Sequence, residues 1–129
     1  MKSIFFCLLL ALPFGVIARN DCWLVGQLKG MAIREGDSEI SKDAMSGMTF
    51  KVGIYGKLAS VEPSDLTCTP MGEAMLVCAF VTETRATVET WAIDTVSGRV
   101  VHTSNRSLSG PFTGGRLFVG KVLGLCGPP

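Results

Sequence analysis

Residues 73–82, E-A-M-L-V-C-A-F-V-T, are apolar on both of their alternating faces. Met75, Val77, Ala79 and Val81 fall on one face, Ala74, Leu76, Cys78 and Phe80 on the other. The run is short and polar residues close in at both ends, so it reads as a strand rather than a buried helical segment. A strand that is apolar on both faces has to be covered on both. It therefore predicts a central strand of a packed sheet or closed barrel.

The chain opens M-K-S-I-F-F-C-L-L-L-A-L-P-F-G-V-I-A. Lys2 gives a short positive start, residues 4–12 a compact apolar run, and Ala18 a small residue suited to a cleavage site. The apolar run falls short of the roughly 20 residues that span a bilayer. Residues 1–18 are expected to be a cleaved signal peptide and residues 19–129 a single β-rich exported domain. Secretion or release into a periplasm follows, with no stable membrane span after processing. Residues 19–21, Arg-Asn-Asp, are too bulky and charged for a lipid-attachment box ahead of Cys22.

Cys7 leaves with the signal, which leaves Cys22, Cys68, Cys78 and Cys126. An even count in a small exported domain points to two disulfides. Three pairings are possible. Position along the chain favours Cys22–Cys126, tying the first strand to the last, with Cys68–Cys78 pinning a loop to the central strand. Zinc is disfavoured, because no C-x-x-C pair occurs. No cofactor is expected.

The formal net charge of +1 gives the chain no pull towards nucleic acid or an anionic membrane surface. Its 15 glycines and the scarcity of helix-forming runs argue for strands joined by tight turns. The predicted fold is all-β: a small antiparallel β-barrel or β-sandwich of about six to eight strands, stapled by two disulfides. One short helix is allowed, as a single turn in the polar connection 34–47.

Residues 22–33 read as a long first strand whose even positions, from Cys22 to Ala32, are all apolar or small. Acidic residues in 35–43 faintly resemble a calcium loop in spacing, but the required glycine and closing glutamate are missing. Residues 48–60 give the cleanest period-two signal. Met48, Phe50, Val52, Ile54 and Leu58 face one way, and Thr49, Lys51, Tyr55 and Lys57 the other. Lys51, Tyr55 and Lys57 form a basic and aromatic row, the candidate binding surface for an acidic partner. Residues 61–72, with Pro63 and Pro70, read as a turn-rich crossing.

Residues 87–104 predict a hairpin turning at Ser97-Gly98. A two-residue turn pairs Ile93 with His102 and puts Trp91, Ile93, Val100 and His102 on one face. Asp94 lies on the other face, so it cannot form a catalytic dyad with His102, the single histidine. Asn105-Arg106-Ser107 is a glycosylation sequon placed in a turn. Residues 109–111 and 113–115 also read as turns. Residues 116–126 form a last strand, largely buried, with Leu117, Val119, Leu123 and Leu125 on one face.

No serine elbow, H-E-x-x-H zinc site or nucleotide loop is present. A carboxylate pair could serve a glycosidase, yet no acidic residue sits in a context that marks it as buried or paired. An enzyme is not expected. The expected function is a small disulfide-stabilised binding protein with a protein partner outside the cytoplasm, such as an inhibitor of an extracytoplasmic hydrolase. A secreted effector or toxin of a pathogen is the alternative, and a small enzyme or envelope assembly factor a further one.

Overall fold

A computed structural model describes residues 20–108 and 113–127. The expected signal peptide, the turn expected at 109–111 and the last two prolines lie outside the described residues. Among the described residues the fold is all-β, as expected: nine strands, eight of them forming an antiparallel barrel and one added beside it, with no helix. They are β1 (Asn20–Arg34), β2 (Ser41–Met45), β3 (Phe50–Tyr55), β4 (Leu58–Glu62), β5 (Thr67–Pro70), β6 (Met75–Val81), β7 (Arg85–Ile93), β8 (Arg99–Leu108) and β9 (Gly114–Leu125).

Eight of them follow one another around a closed antiparallel barrel, β1-β3-β4-β5-β6-β7-β8-β9, and β9 pairs back with β1. The ninth, β2, pairs with the second half of β1, on the edge whose first half carries β3. Closure removes every free edge from the eight strands. Gly30 makes the seam possible. A Cβ at that position would collide with the Leu117 carbonyl of β9.

The first strand departs from simple alternation. Trp23 and Val25 are buried, and so are Leu28 and Ala32, on the opposite parity. A bulge explains the switch: β1 advances three residues from Gly26 to Lys29 while β9 advances two, and Gln27 takes a φ of 56°. The even positions therefore do not share one face.

Four further readings change. Residues 34–47 hold no helical turn; Asp37 accepts a bond from the Arg34 amide, and the chain returns as β2 against β1. The strand expected over 48–60 is cut at Gly56-Lys57, a two-residue hairpin loop joining Tyr55 to Leu58, with Gly56 at a φ of 62°. Leu58 is consequently exposed rather than in the core. The crossing at 61–72 contains the end of β4 and all of β5, because Thr67–Pro70 is drawn into the ladder beside β6. Residues 113–115 are no turn either, since Gly114 and Gly115 pair with Arg34 and Ile33 as the start of β9.

The β7–β8 hairpin forms with its faces as expected but its register moved by two. Trp91, not Ile93, stands opposite His102. The Asp94 carboxylate causes this by accepting bonds from the amides of Val96 and Ser97 and from the Ser97 hydroxyl. Those bonds enlarge the loop to residues 94–98 and hold the Asp94 carboxyl below its usual range. A shift of two leaves every side chain on its original face.

Both disulfides are at bonding distance, Cys22–Cys126 between the two seam strands and Cys68–Cys78 between directly opposed residues of β5 and β6. Such bridges fit an oxidising compartment outside the cytoplasm. The core is the barrel interior, built on Trp23, Val25, Leu28, Phe50, Val52, Ile54, Leu76, Trp91, Val100 and Phe118. The two strands read as apolar on both faces, β6 and β9, are covered on the inside only. Outside, Met75, Val81, Leu117 and Val119 remain exposed. A closed barrel has one interior, and nothing among the described residues lies over the outer face.

Candidate functional site

Strand register stacks the inward residues of β6, β7, β8 and β9 in rows. The first is Leu76, Trp91, His102 and Phe118; the next, nearer one end, is Cys78, Glu89, Ser104 and Arg116. The last is Phe80, Thr87, Arg106 and Gly114. Polarity rises along these rows. The interior is thus sealed and apolar at one end and opens at the other into a cavity of about 330 Å³. The β4–β5 loop, with Ser64, Asp65 and Leu66, forms part of its rim.

Phe50 and His102 line the cavity, and Trp91 and Phe118 pack against them outside the lining. The rings of Trp91 and His102 stack at 3.9 Å between centroids, with Phe50 5.1 Å from Trp91 on one side and Phe118 6.2 Å from His102 on the other. His102 Nδ1 lies 3.1 Å from the Thr90 carbonyl oxygen. That oxygen can only accept, so Nδ1 carries the proton and Nε2 keeps its lone pair. Burial, opposed by the Thr90 bond and reinforced by Arg116 and Arg106, pushes the imidazole pKa down to about 4. At neutral pH His102 is an uncharged acceptor in the cavity lining.

Trp91 is buried, and its indole N–H has no hydrogen-bond partner. It still acts on the Glu89 carboxyl, so the two groups face each other without completing a bond. Burial raises the Glu89 pKa; Arg106, the Trp91 N–H and Arg116 pull it back, and Asp65 adds to the rise. Arg116 Nε lies 3.6 Å from Asp43, which also holds Arg34 at 3.0 Å. The Arg85 guanidinium covers the Phe80 ring at 4.6 Å, at the edge of the mouth.

The mouth therefore offers guanidinium donors, one neutral imidazole acceptor and a carboxyl that takes a proton readily. Such a set has the chemistry to hold a small polar molecule through several directed bonds.

The residues singled out in the sequence lie elsewhere. Lys51 and Tyr55 share the outer face of β3, and Lys57 sits in the following turn, off that face. The Tyr55 ring is laid over Gly53, where a Cβ would come within 2.6 Å of it. The four cysteines form the two bridges. Asp94 is in the exposed β7–β8 loop and His102 is inside the barrel, so the two are not brought together. Asn105 of the sequon is in β8, opposite Val88 and Gly115, not in a turn.

Glu89, Arg106 and Arg116 are the site residues that the sequence reading missed. A signal for them existed. Glu89 has the parity of Trp91, and Arg106 that of His102, so alternation alone sends both inward. Comparison with protein-family models, curated proteins and solved structures finds no match for this chain.

Proposed function

We propose that the protein is a small exported binding protein that holds a small organic acid in the polar mouth of its barrel. The observation that carries this reading is the cavity itself, with His102 and Glu89 in its lining and Arg106 and Arg116 in its wall. An eight-stranded barrel is just wide enough for side chains to fill it or for one small ligand. Here the filling stops below the mouth. The guanidiniums supply the charge that an acid group needs. His102 Nε2 and Glu89 accept or share a proton with a hydroxyl or amine on the same molecule. Binding is favoured over turnover because His102 is oriented by a main-chain carbonyl and not by a carboxylate.

The test is calorimetry on the oxidised protein with aliphatic and aromatic carboxylates and their neutral amides, with Trp fluorescence as a second readout. Acids are expected to bind and amides not, and Arg106→Gln should weaken acid binding at least tenfold. Equal binding of acids and amides, or none at millimolar concentration, would defeat the reading. Capture of one stoichiometric hydrolase instead would favour an inhibitor that works through its surface.

A further inference from the structure

The cavity has two unlike walls, and strand order sets them opposite each other. In a closed ring of eight, each strand looks across at the one halfway round. In the order β1-β3-β4-β5-β6-β7-β8-β9, β3 therefore stands across from β7, β4 from β8 and β5 from β9. One side of the lining is Met45 at the end of β2, Met48 in the connection to β3, Phe50 on β3, Val61 on β4 and Leu66 in the β4–β5 loop. The other side is Glu89, His102, Ser104, Arg106 and Arg116, on β7, β8 and β9. We infer, resting on the acid-binding reading above, that the ligand is a monocarboxylic acid with an apolar tail. Its head lies on the β8–β9 wall and its tail against the methionine and phenylalanine side chains opposite.

Charge limits the ligand to one acid group. Arg85, Arg106 and Arg116 line the cavity against Asp65 and Glu89, a surplus of one positive charge. Arg116 is also shared with Asp43, 3.6 Å away, and Arg85 is laid over the Phe80 ring. On the apolar side Asp65, at the rim, is the one charged side chain of the lining, and it repels a second acid group sent that way. Ser64, beside it, turns its hydroxyl oxygen to the Leu66 amide at 3.1 Å. What is left there for the body of the ligand is thioether, aromatic ring and aliphatic chain.

Met45 and Leu66 pack against the barrel core, whereas Met48 is 44 % exposed. Unbranched thioether side chains adapt to a flexible apolar partner. A tail that covers Met48 takes apolar surface out of water on both molecules. A tail rich in hydroxyls would lose its water and find few partners on this wall. At about 330 Å³ the cavity lies at the small end of ligand pockets, which run from about 300 to 1,000 Å³. It suits a short tail, for which octanoate is the probe.

The experiment is calorimetry on the oxidised protein with butanoate, octanoate, octanedioate and octanamide. Octanoate is expected to bind at least tenfold tighter than butanoate, because each added methylene reaches more of the apolar wall. Octanedioate is expected to bind at least tenfold more weakly than octanoate. Met48→Gln should cut the octanoate-to-butanoate affinity ratio at least threefold, and Leu66→Gln should repeat the result. Near-UV circular dichroism confirms that each variant is folded. If Leu66→Gln failed to fold, Met48→Gln would decide alone. Octanoate no tighter than butanoate, a diacid as tight as octanoate, or a ratio indifferent to the folded variants would overturn the inference. With octanamide still excluded, the acid-binding reading would survive that result. Octanamide as tight as octanoate, or no octanoate binding at millimolar concentration, would overturn both.

Discussion

The two ends of the barrel interior are built from the same strands and differ by a step or two of register. At the sealed end Trp23, Ile54, Ile93 and Val100 close upon one another and exclude water. At the mouth the same alternation on β7, β8 and β9 delivers Glu89, Arg106 and Arg116. The barrel wall supports both ends, so the mouth can keep groups that do not improve packing. Polar groups left partly unsatisfied in an otherwise consistent fold are commonly the ones retained for use.

Four measurements would sharpen or break that contrast. The largest effect should come from replacing Cys22 and Cys126 with serine at the sealed end. A closed loop with a sequence separation of 104 is worth about 5 kcal/mol in the chain-entropy model, read as a lower urea midpoint. Leu76→Ala, which empties a fully buried position, should cost about 2–5 kcal/mol. Arg106→Gln at the mouth should stay within about 0.5 kcal/mol. Equal losses from these last two would erase the distinction between packing and binding ends.

The third measurement is the pH dependence of unfolding. The folded pKa of His102, about 4, lies below its ordinary 6.5, so the unfolded chain binds the proton more tightly. Stability should be full above pH 6.5 and fall by about 3 kcal/mol as the pH drops towards 4. His102→Gln should flatten that slope.

Glu89 runs the other way. Its folded pKa is raised above 4.5, so its contribution is full below that pH and is lost as the pH rises through the folded value. Glu89→Gln should therefore raise the urea midpoint slightly at neutral pH, and the gain should vanish below pH 4.5. A gain in stability together with a loss of ligand affinity would place Glu89 firmly on the binding side.

Much of the architecture was legible in the sequence because period-two alternation and cysteine position report directly on it. The sequence showed strands at β3, β6 and β9 and paired the first cysteine with the last. Three things were hidden, each for a physical reason. The bulge at Gly26-Gln27 reverses parity within β1, and although Gly26 permits it, Gly30 carries the same mark without a bulge. The Asx bonds of Asp94 compete with a tight turn and lengthen the loop. The length of β5 depends on β6 lying beside it. The mouth was hidden differently. Glu89 looked solvated because a lone carboxylate between Val88 and Thr90 carries no mark of burial until the parity of Trp91 is extended to it. Apolar outer positions on β6 and β9 were read as covered. Among the described residues, nothing covers them.

The seam between β1 and β9 has a consequence in time. Of the nine strands, the one that closes the barrel comes last in chain order, and its partner comes first. Until residue 125 is available, β1 has an unpaired edge and the interior stays open to water. Contacts this distant in sequence make folding slow and leave apolar strands exposed meanwhile. The Cys22–Cys126 bond can therefore act as a latch only after β9 has arrived.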